Sequence, residues 1–110
     1  AGARALRLSL DKNFSNQRRI FLIGILRDKN FSEMLKILLR KSDSVVATEP
    51  DSPRAATSEE ISQVAKNFSN QVELGNLNRA LEISDENSII VITGSLYLIG
   101  KIRGEIIREK

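Results

Sequence analysis

The 110-residue chain contains no histidine. A catalytic serine–histidine–aspartate triad and a histidine general base are therefore excluded for this chain taken alone. Zinc or iron sites that use imidazole ligands are excluded for the same reason. The absence of this one residue type removes several common kinds of active site.

Cysteine and long apolar runs are also missing. Without cysteine the chain has neither disulfides nor a thiolate metal site, which fits a reducing cytosol, and we predict a cytoplasmic location. The longest nearly apolar run, residues 89–100, is interrupted by Thr93, Gly94 and Ser95. It is much shorter than the ~20 residues that a membrane-spanning helix needs. We therefore expect no membrane association.

The composition that is present is typical of a folded protein. Hydrophobic residues make up 41% and charged residues 28%, without an excess of proline, glycine or serine, and the length of 110 residues predicts one domain over residues 1–110. We also expect a monomer. The net charge of +3 comes from scattered basic residues, so we expect no nucleic-acid binding. The pairs Arg18–Arg19 and Arg40–Lys41 are interpreted as solvated ends of helices or loops.

Hydrophobic periodicity predicts alternating helices and strands. Short apolar or β-branched runs predict strands at residues 20–26, 44–48, 71–74 and 88–93. Helical spacing predicts helices near residues 1–14, 30–41, 57–68, 76–87 and 95–110. This alternation predicts an α/β fold, a three-layer Rossmann-like domain whose mainly parallel sheet has about four strands in this chain and carries helices on both faces.

Local motifs support these boundaries. Asn30 with Glu33 and Thr57 with Glu60 have the spacing of a capping box, and Asn76 suits a helix N-cap. The string KNFSNQ occurs at residues 12–17 and again at 66–71, each time between a predicted helix and a predicted strand. We interpret both copies as helix-to-strand connectors. The related KNFS that begins at Lys29 is expected to start a helix instead.

The loops that follow the strands carry the candidate site. In parallel α/β sheets ligands bind beyond the carboxyl ends of the strands, here at residues 27–30, 48–57, 74–76 and 93–95. Lys29 offers a point charge, and Arg54 offers a planar fork that can bind a carboxylate with two hydrogen bonds. Ser95 is expected at a helix start, where the dipole favours an anion. Pro50 and Pro53 stiffen the loop that holds Arg54.

Each candidate residue also has a structural alternative. Arg54 would pair with Asp51 or cap a neighbouring helix, Ser95 would serve only as an N-cap, and Lys29 would be a solvated side chain. We favour anion binding because all three side chains are expected at one edge of the sheet.

Four stretches of the chain resemble a known family. "GARAL", "GILRDKNFSEML", "TEPDSPRA" and "ENSIIVITGSLYLIGKI" look like the C-terminal domain of folylpolyglutamate synthase, including its bifunctional dihydrofolate synthase form, in the Mur ligase superfamily. The resemblance covers nearly the whole chain, and "TEPDSPRA" and "TGSLYLIG" are its most specific parts. It implies a six-stranded, Rossmann-like third domain that closes over a separate P-loop ATPase domain.

The resemblance also implies an activity. Members of the family use ATP to convert a substrate carboxylate into an acyl phosphate, which the amine of an incoming amino acid attacks. The parent protein is then expected to add L-glutamate to folate, with ATP and Mg²⁺ as cofactors of the full-length enzyme. By similarity, Lys29 and Ser95 would help to hold the incoming amino acid, and Arg54 belongs to the loop that contacts its side chain. We therefore expect Lys29 and Ser95 to hold the α-carboxylate of glutamate, Arg54 to anchor a second anion and Asp28 to orient Lys29 or the amine.

The chain also departs from the family pattern. It contains no Walker loop, no magnesium ligands and no aspartate–glycine–alanine–histidine–asparagine segment, and Asn30 stands where an acid is usual. We therefore expect a piece of a larger multidomain ligase that lacks the N-terminal P-loop ATPase domain, has no catalytic or metal-binding residue and is inactive alone. Two alternatives are a peptidoglycan Mur ligase domain, against which "SLYLIG" argues, and a non-catalytic Rossmann-like interaction module.

Overall fold

The computed structural model describes residues 2–25, 30–49, 53–92, 97–100 and 105–108. Within these ranges the helices are α1 (Gly2–Asn13), α2 (Phe31–Leu38), α3 (Ser58–Ala65) and α4 (Leu77–Ile83). The strands are β1 (Arg18–Ile23), β2 (Ser44–Ala47), β3 (Gln71–Leu74), β4 (Ser88–Ile92), β5 (Tyr97–Gly100) and β6 (Glu105–Arg108). Among these residues, no helix is long and apolar enough to cross a membrane.

The strands form one six-stranded sheet in the order β3-β2-β1-β4-β5-β6. The pairs β1–β2, β2–β3 and β1–β4 are parallel, whereas β5 pairs antiparallel with both β4 and β6. The chain therefore runs outward from β1 through β2 to β3 and returns to the other side of β1 as β4. This reversal places a topological switch point between β1 and β4, where open α/β sheets bind their ligands.

Helices cover both faces of the sheet, because alternate residues of each inner strand point to opposite sides. Phe21 and Ile23 of β1 lie in the larger core with residues of α1, α2 and α3. Ile20 and Leu22 lie in the smaller core with Ala80 of α4. Burial on both faces explains why residues 20–23 of β1 are a continuous apolar run and not an alternating one. The predicted three-layer α/β fold is confirmed.

The predicted helix caps are confirmed. The Asn30 side chain accepts a hydrogen bond from the Glu33 backbone N–H at 3.4 Å, so this asparagine is the N-cap of α2. Thr57 and Glu60 form the full capping box of α3, with hydrogen bonds of 3.1 and 2.9 Å. The Asn76 side chain accepts from the Arg79 backbone N–H at 3.2 Å and caps α4.

Both copies of KNFSNQ are helix-to-strand connectors, as predicted. The first copy joins α1 to β1, and the second joins α3 to β3. Phe14 and Phe68, which are equivalent positions in the two copies, are partly buried against the larger core. Each connector therefore uses its phenylalanine to pack the chain against the sheet after a helix ends. The third, shorter copy starts α2 instead, as expected.

The predicted last helix, from Ser95 towards Lys110, is wrong. Residues 97–100 and 105–108 are strands that add two antiparallel members to the sheet, so the described residues contain six strands and not about four. Tyr97, Ile99, Ile106 and Ile107 belong to residue types that favour strands, and Gly100 disfavours a helix interior. The free edge of β4 supplies the partner that these residues need to pair as strands.

The interpretation of the Arg18–Arg19 pair as solvated is wrong for Arg19, whose side chain has no exposed surface. Its Nε donates to Asp43 at 3.2 Å and its Nη1 donates to Asp11 at 2.9 Å, while its Nη2 is buried and has no partner among the described residues. Asp43 is equally buried and also accepts from the Arg40 backbone N–H at 2.8 Å. These ion pairs join α1 and the start of β2 to β1.

Asp11 is a partly solvent-exposed member of these ion pairs. Burial raises its pKa, but hydrogen bonds from Arg7 and Arg19 and their charges outweigh that effect, so the pKa lies below the ordinary value of 3.8. Because the folded state binds this proton more weakly than the unfolded state, the stabilisation is present above pH 3.8 and is lost as the pH falls through the lower folded pKa.

We expect Asp11→Asn to lower the free energy of unfolding at pH 6 by less than about 1 kcal/mol, since 41% of the side chain is exposed to solvent. The difference between the two proteins should shrink once the pH falls below 3.8. Urea unfolding curves of both proteins between about pH 2.5 and about pH 6 measure this difference in the free energy of unfolding. A difference that stays constant across this range would contradict the assignment.

Candidate functional site

The predicted loops leave the sheet at one edge. In the strand register Ile23 pairs with Ala47, Ala47 with Leu74, and Leu22 with Ile92. The carboxyl ends of β1, β2, β3 and β4 are therefore level with one another. The strands that precede the four loops singled out from the sequence therefore end side by side.

The loop that carries Arg54 is attached at both ends to the end of β1. The Thr48 N–H donates to the Ile23 carbonyl at 2.8 Å, and the Ala56 N–H donates to the Ile25 carbonyl at 2.9 Å. Ala55 and Ala56 are buried, whereas Arg54 itself is exposed. The Arg54 guanidinium thus lies on a loop whose two ends are hydrogen-bonded to other backbone groups, the second of them just before the chain enters α3.

The start of α3 is already occupied by carboxylates of the chain itself. The Ser58 N–H donates to Glu49 Oε1 at 3.3 Å, and the Thr57 N–H donates to Glu60 Oε1 at 2.9 Å. Negative side chains are favourable at this positive end of the helix dipole. An anion bound beside this loop would therefore be held by side chains such as that of Arg54 and not by the N-terminus of α3.

Three of the four predicted site residues, Asp28, Lys29 and Ser95, lie outside the described residues. Asp28 and Lys29 follow Ile25 by three and four residues, at most about 14 Å of extended backbone. Ser95 follows Ile92, the last residue of β4, by three residues. β1 and β4, the strands that precede these positions in the chain, lie side by side at the switch point. Their contacts stay predictions.

The fourth loop, which follows β3, contains no group suited to an anion. A Cβ at Gly75 would lie 3.0 Å from Arg79 Cβ and 3.1 Å from Val46 Cγ1, so this close turn favours glycine. The Arg79 guanidinium donates to Glu73, and this hydrogen bond raises the pKa of Arg79 above its usual range. Arg79, the cation in the first turn of the helix that follows this loop, is therefore already paired.

Two features of this edge were not predicted from the sequence. Glu49 contacts a backbone group nine residues later, and Ala56 bonds to Ile25, which lies two residues after the end of β1. Contacts at such separations have no repeating signature in the chain. The only available signal for Glu49 was an acidic residue directly before the Pro50–Pro53 segment.

Solved structures with a similar fold have been described. Folylpolyglutamate synthase from Mycobacterium tuberculosis, complexed with ADP and AMPPCP, shares 30% sequence identity over 84% of this chain with a TM-score of 0.70. The enzyme from Thermotoga maritima shares 29% identity over 83% of this chain with a TM-score of 0.68. The matched part is 24% and 22% of those two chains, so this chain spans about a quarter of their length.

A second complex of the Mycobacterium tuberculosis enzyme, with ADP, shares 26% identity with a TM-score of 0.69. No curated protein sequence gave a significant match. A family model described as "Dihydrofolate synthetase, C-terminal domain" matches residues 1–106. Because this match covers nearly the whole chain and the structural matches agree with it, the chain belongs to the family of dihydrofolate synthetase and folylpolyglutamate synthase C-terminal domains.

Proposed function

We propose that the protein carrying this chain is an ATP-dependent ligase that adds L-glutamate to folate through an acyl phosphate, and that this domain binds the incoming glutamate. The observation that carries the proposal is the Arg54 loop, whose two ends are bonded to Ile23, the last residue of β1, and to Ile25, two residues later. This attachment holds an exposed guanidinium at the edge of the sheet that contains the switch point.

The chemistry of glutamate suits this arrangement. Glutamate has two carboxylates, and a guanidinium binds a carboxylate through two parallel hydrogen bonds. In our proposal Arg54 holds one carboxylate, Lys29 and Ser95 hold the other across the switch point, and Asp28 orients Lys29 or the amine. The contribution of the domain is to position the amine of glutamate for attack, which lowers the entropic part of the barrier.

ATP and magnesium do not fit the described residues by themselves. Within the described ranges no group of three acidic residues is placed to hold a metal ion, and the sequence has no Walker loop. We therefore assign the nucleotide and its Mg²⁺ to a P-loop ATPase domain in the remainder of the protein. A single domain over residues 1–110, a monomeric state and a cytoplasmic location belong to the same proposal.

We expect the intact protein to transfer radiolabelled glutamate to a folate in the presence of ATP and Mg²⁺, and the 110-residue chain to transfer none. The short chain lacks the phosphate-binding loop that activation requires. The two proteins are compared at equal concentration, with a buffer blank and with dihydropteroate as a second acceptor. Turnover by the short chain above the blank would contradict the assignment of nucleotide binding to another domain.

The same assay separates the alternatives. Labelling of dihydropteroate in addition to folate would identify the bifunctional form of the enzyme. Transfer of an amino acid to a peptidoglycan precursor, with no labelled folate, would favour a peptidoglycan Mur ligase. An intact protein that folds but transfers glutamate to none of these acceptors would favour a non-catalytic module.

A further inference from the structure

Glu49 is the one acidic side chain described in the loop between β2 and α3, and it closes this loop. Its Oε1 accepts a hydrogen bond from the Ser58 N–H at 3.3 Å, so the second residue of the loop contacts the first residue of α3. Arg54 lies between these two residues in the chain. The contact therefore links the segments on either side of the guanidinium.

Glu49 completes a set of three ties around the loop. Thr48 is bonded to Ile23 and Ala56 is bonded to Ile25, at 2.8 and 2.9 Å. These two backbone hydrogen bonds join the loop to Ile23 and Ile25, and neither of them joins one part of the loop to another. The Glu49–Ser58 bond is the described contact that joins the two arms of the loop directly to each other.

We infer that Glu49 is a positioning residue for glutamate binding, which acts through Arg54 by holding the loop in its closed form. The inference rests on the proposed function. An ordered loop loses less conformational entropy when its arginine binds a carboxylate, so the tie should increase affinity for glutamate. Loss of the tie should change neither the rate of the chemical step nor the affinity for ATP, because in our proposal the loop contacts neither the reacting atoms nor the nucleotide.

The carboxylate itself is suited to this task. An ionised acceptor at a helix start is favoured both by the charge-assisted hydrogen bond and by the helix dipole. Glutamine keeps an acceptor oxygen on a side chain of the same length, whereas alanine removes it. Glu49→Gln is therefore a conservative variant that should restore most of what Glu49→Ala loses.

Glutamate kinetics of the intact ligase test the inference. We expect Glu49→Ala to raise the KM for glutamate about two- to tenfold, the range of one ordinary hydrogen bond, with kcat and the KM for ATP unchanged. Glu49→Gln should stay within about twofold of the wild type on the same reasoning. Glu59→Gln, at an exposed acidic residue in the first turn of α3, is the matched control and should have no effect.

A double mutant shows whether Glu49 acts through Arg54. If it does, adding Glu49→Ala to an Arg54→Ala enzyme should not raise the KM for glutamate further, because the arginine that the loop positions is gone. A full additional increase in KM would overturn the inference. So would an unchanged KM for glutamate in the Glu49→Ala single variant.

Amide hydrogen exchange separates failure of this inference from failure of the proposed function. We expect the Ser58 N–H of the 110-residue chain to exchange faster in Glu49→Ala than in Glu59→Gln, since only the first change removes its acceptor. Equal exchange rates would overturn the loop closure itself. If the intact wild-type protein transfers no glutamate, the proposed function and this inference both fail. If it does and the KM is unaffected, only this inference fails.

Discussion

If the intact protein is the ligase that we propose, replacing Arg54 with lysine is expected to lower its kcat/KM for glutamate by about ten- to a hundred-and-fifty-fold. An ammonium group keeps the charge but cannot reproduce the two parallel hydrogen bonds of a guanidinium to a carboxylate. The loss corresponds to one charge-assisted hydrogen bond, roughly 1.5–3 kcal/mol. Initial rates at varied glutamate and saturating ATP and folate measure it.

The stability of the Arg54→Lys protein provides the contrast. Arg54 is exposed on its loop, so the free energy of unfolding should change by about 1 kcal/mol or less. Arg79→Lys is the matched control, because Arg79 is an exposed arginine in the neighbouring helix α4 and is paired with Glu73. We expect it to leave glutamate kinetics unchanged. An Arg54→Lys protein that melts several degrees lower but keeps its glutamate kinetics would show that Arg54 is a structural brace.

Replacing Asp43 with alanine is expected to lower the free energy of unfolding by about 3–5 kcal/mol. Asp43 and Arg19 are both completely buried, with 3.2 Å between Oδ1 and Nε. Removing the carboxylate leaves the Arg19 charge in the interior with Asp11 as its one remaining partner among the described residues. It also removes the acceptor of the Arg40 backbone N–H and the ion-pair partner of the Arg40 guanidinium. Chemical denaturation of the 110-residue chain measures the change.

Two further variants identify the origin of this loss. Asp11→Ala removes the other partner of Arg19, but its side chain is 41% exposed, so it should cost much less than Asp43→Ala. The double variant Asp43→Ala with Arg19→Met removes the uncompensated charge and should recover part of the stability. If the double variant is less stable than Asp43→Ala alone, the effect does not come from an unpaired buried charge.

Local sequence signals predicted most of the helices and parallel strands of this fold. Thr57 and Glu60 satisfy backbone groups within one helical turn, so the spacing of these two residues was enough to locate the start of α3. The strand predicted at residues 71–74 has the same bounds as β3, because the sequence of these four residues was sufficient to predict it. Helix caps and short strands of this kind depend on residues that are close in the chain, so local composition and periodicity can predict them.

Tertiary contacts decided what the local signals could not. Arg19 and Arg18 are adjacent in sequence, but only Arg19 is fully buried, because Asp43 and Asp11 reach it from other elements. The segment after Ser95 was predicted as a helix, yet residues 97–100 pair with the free edge of β4. A strand obtains its hydrogen bonds from a partner that can lie anywhere in the chain, so its formation depends on which edge is available.

The candidate site shows the same division. The residue types of Arg54, Lys29 and Ser95, and their positions after strands, were readable from the sequence and determined the anion chemistry that we propose. Only the tertiary structure decided that the Arg54 loop is bonded to Ile23 and Ile25 and closed by Glu49. These bonds join residues that are distant in sequence and come together only after β1, β2 and α3 have packed, so no local pattern encodes them.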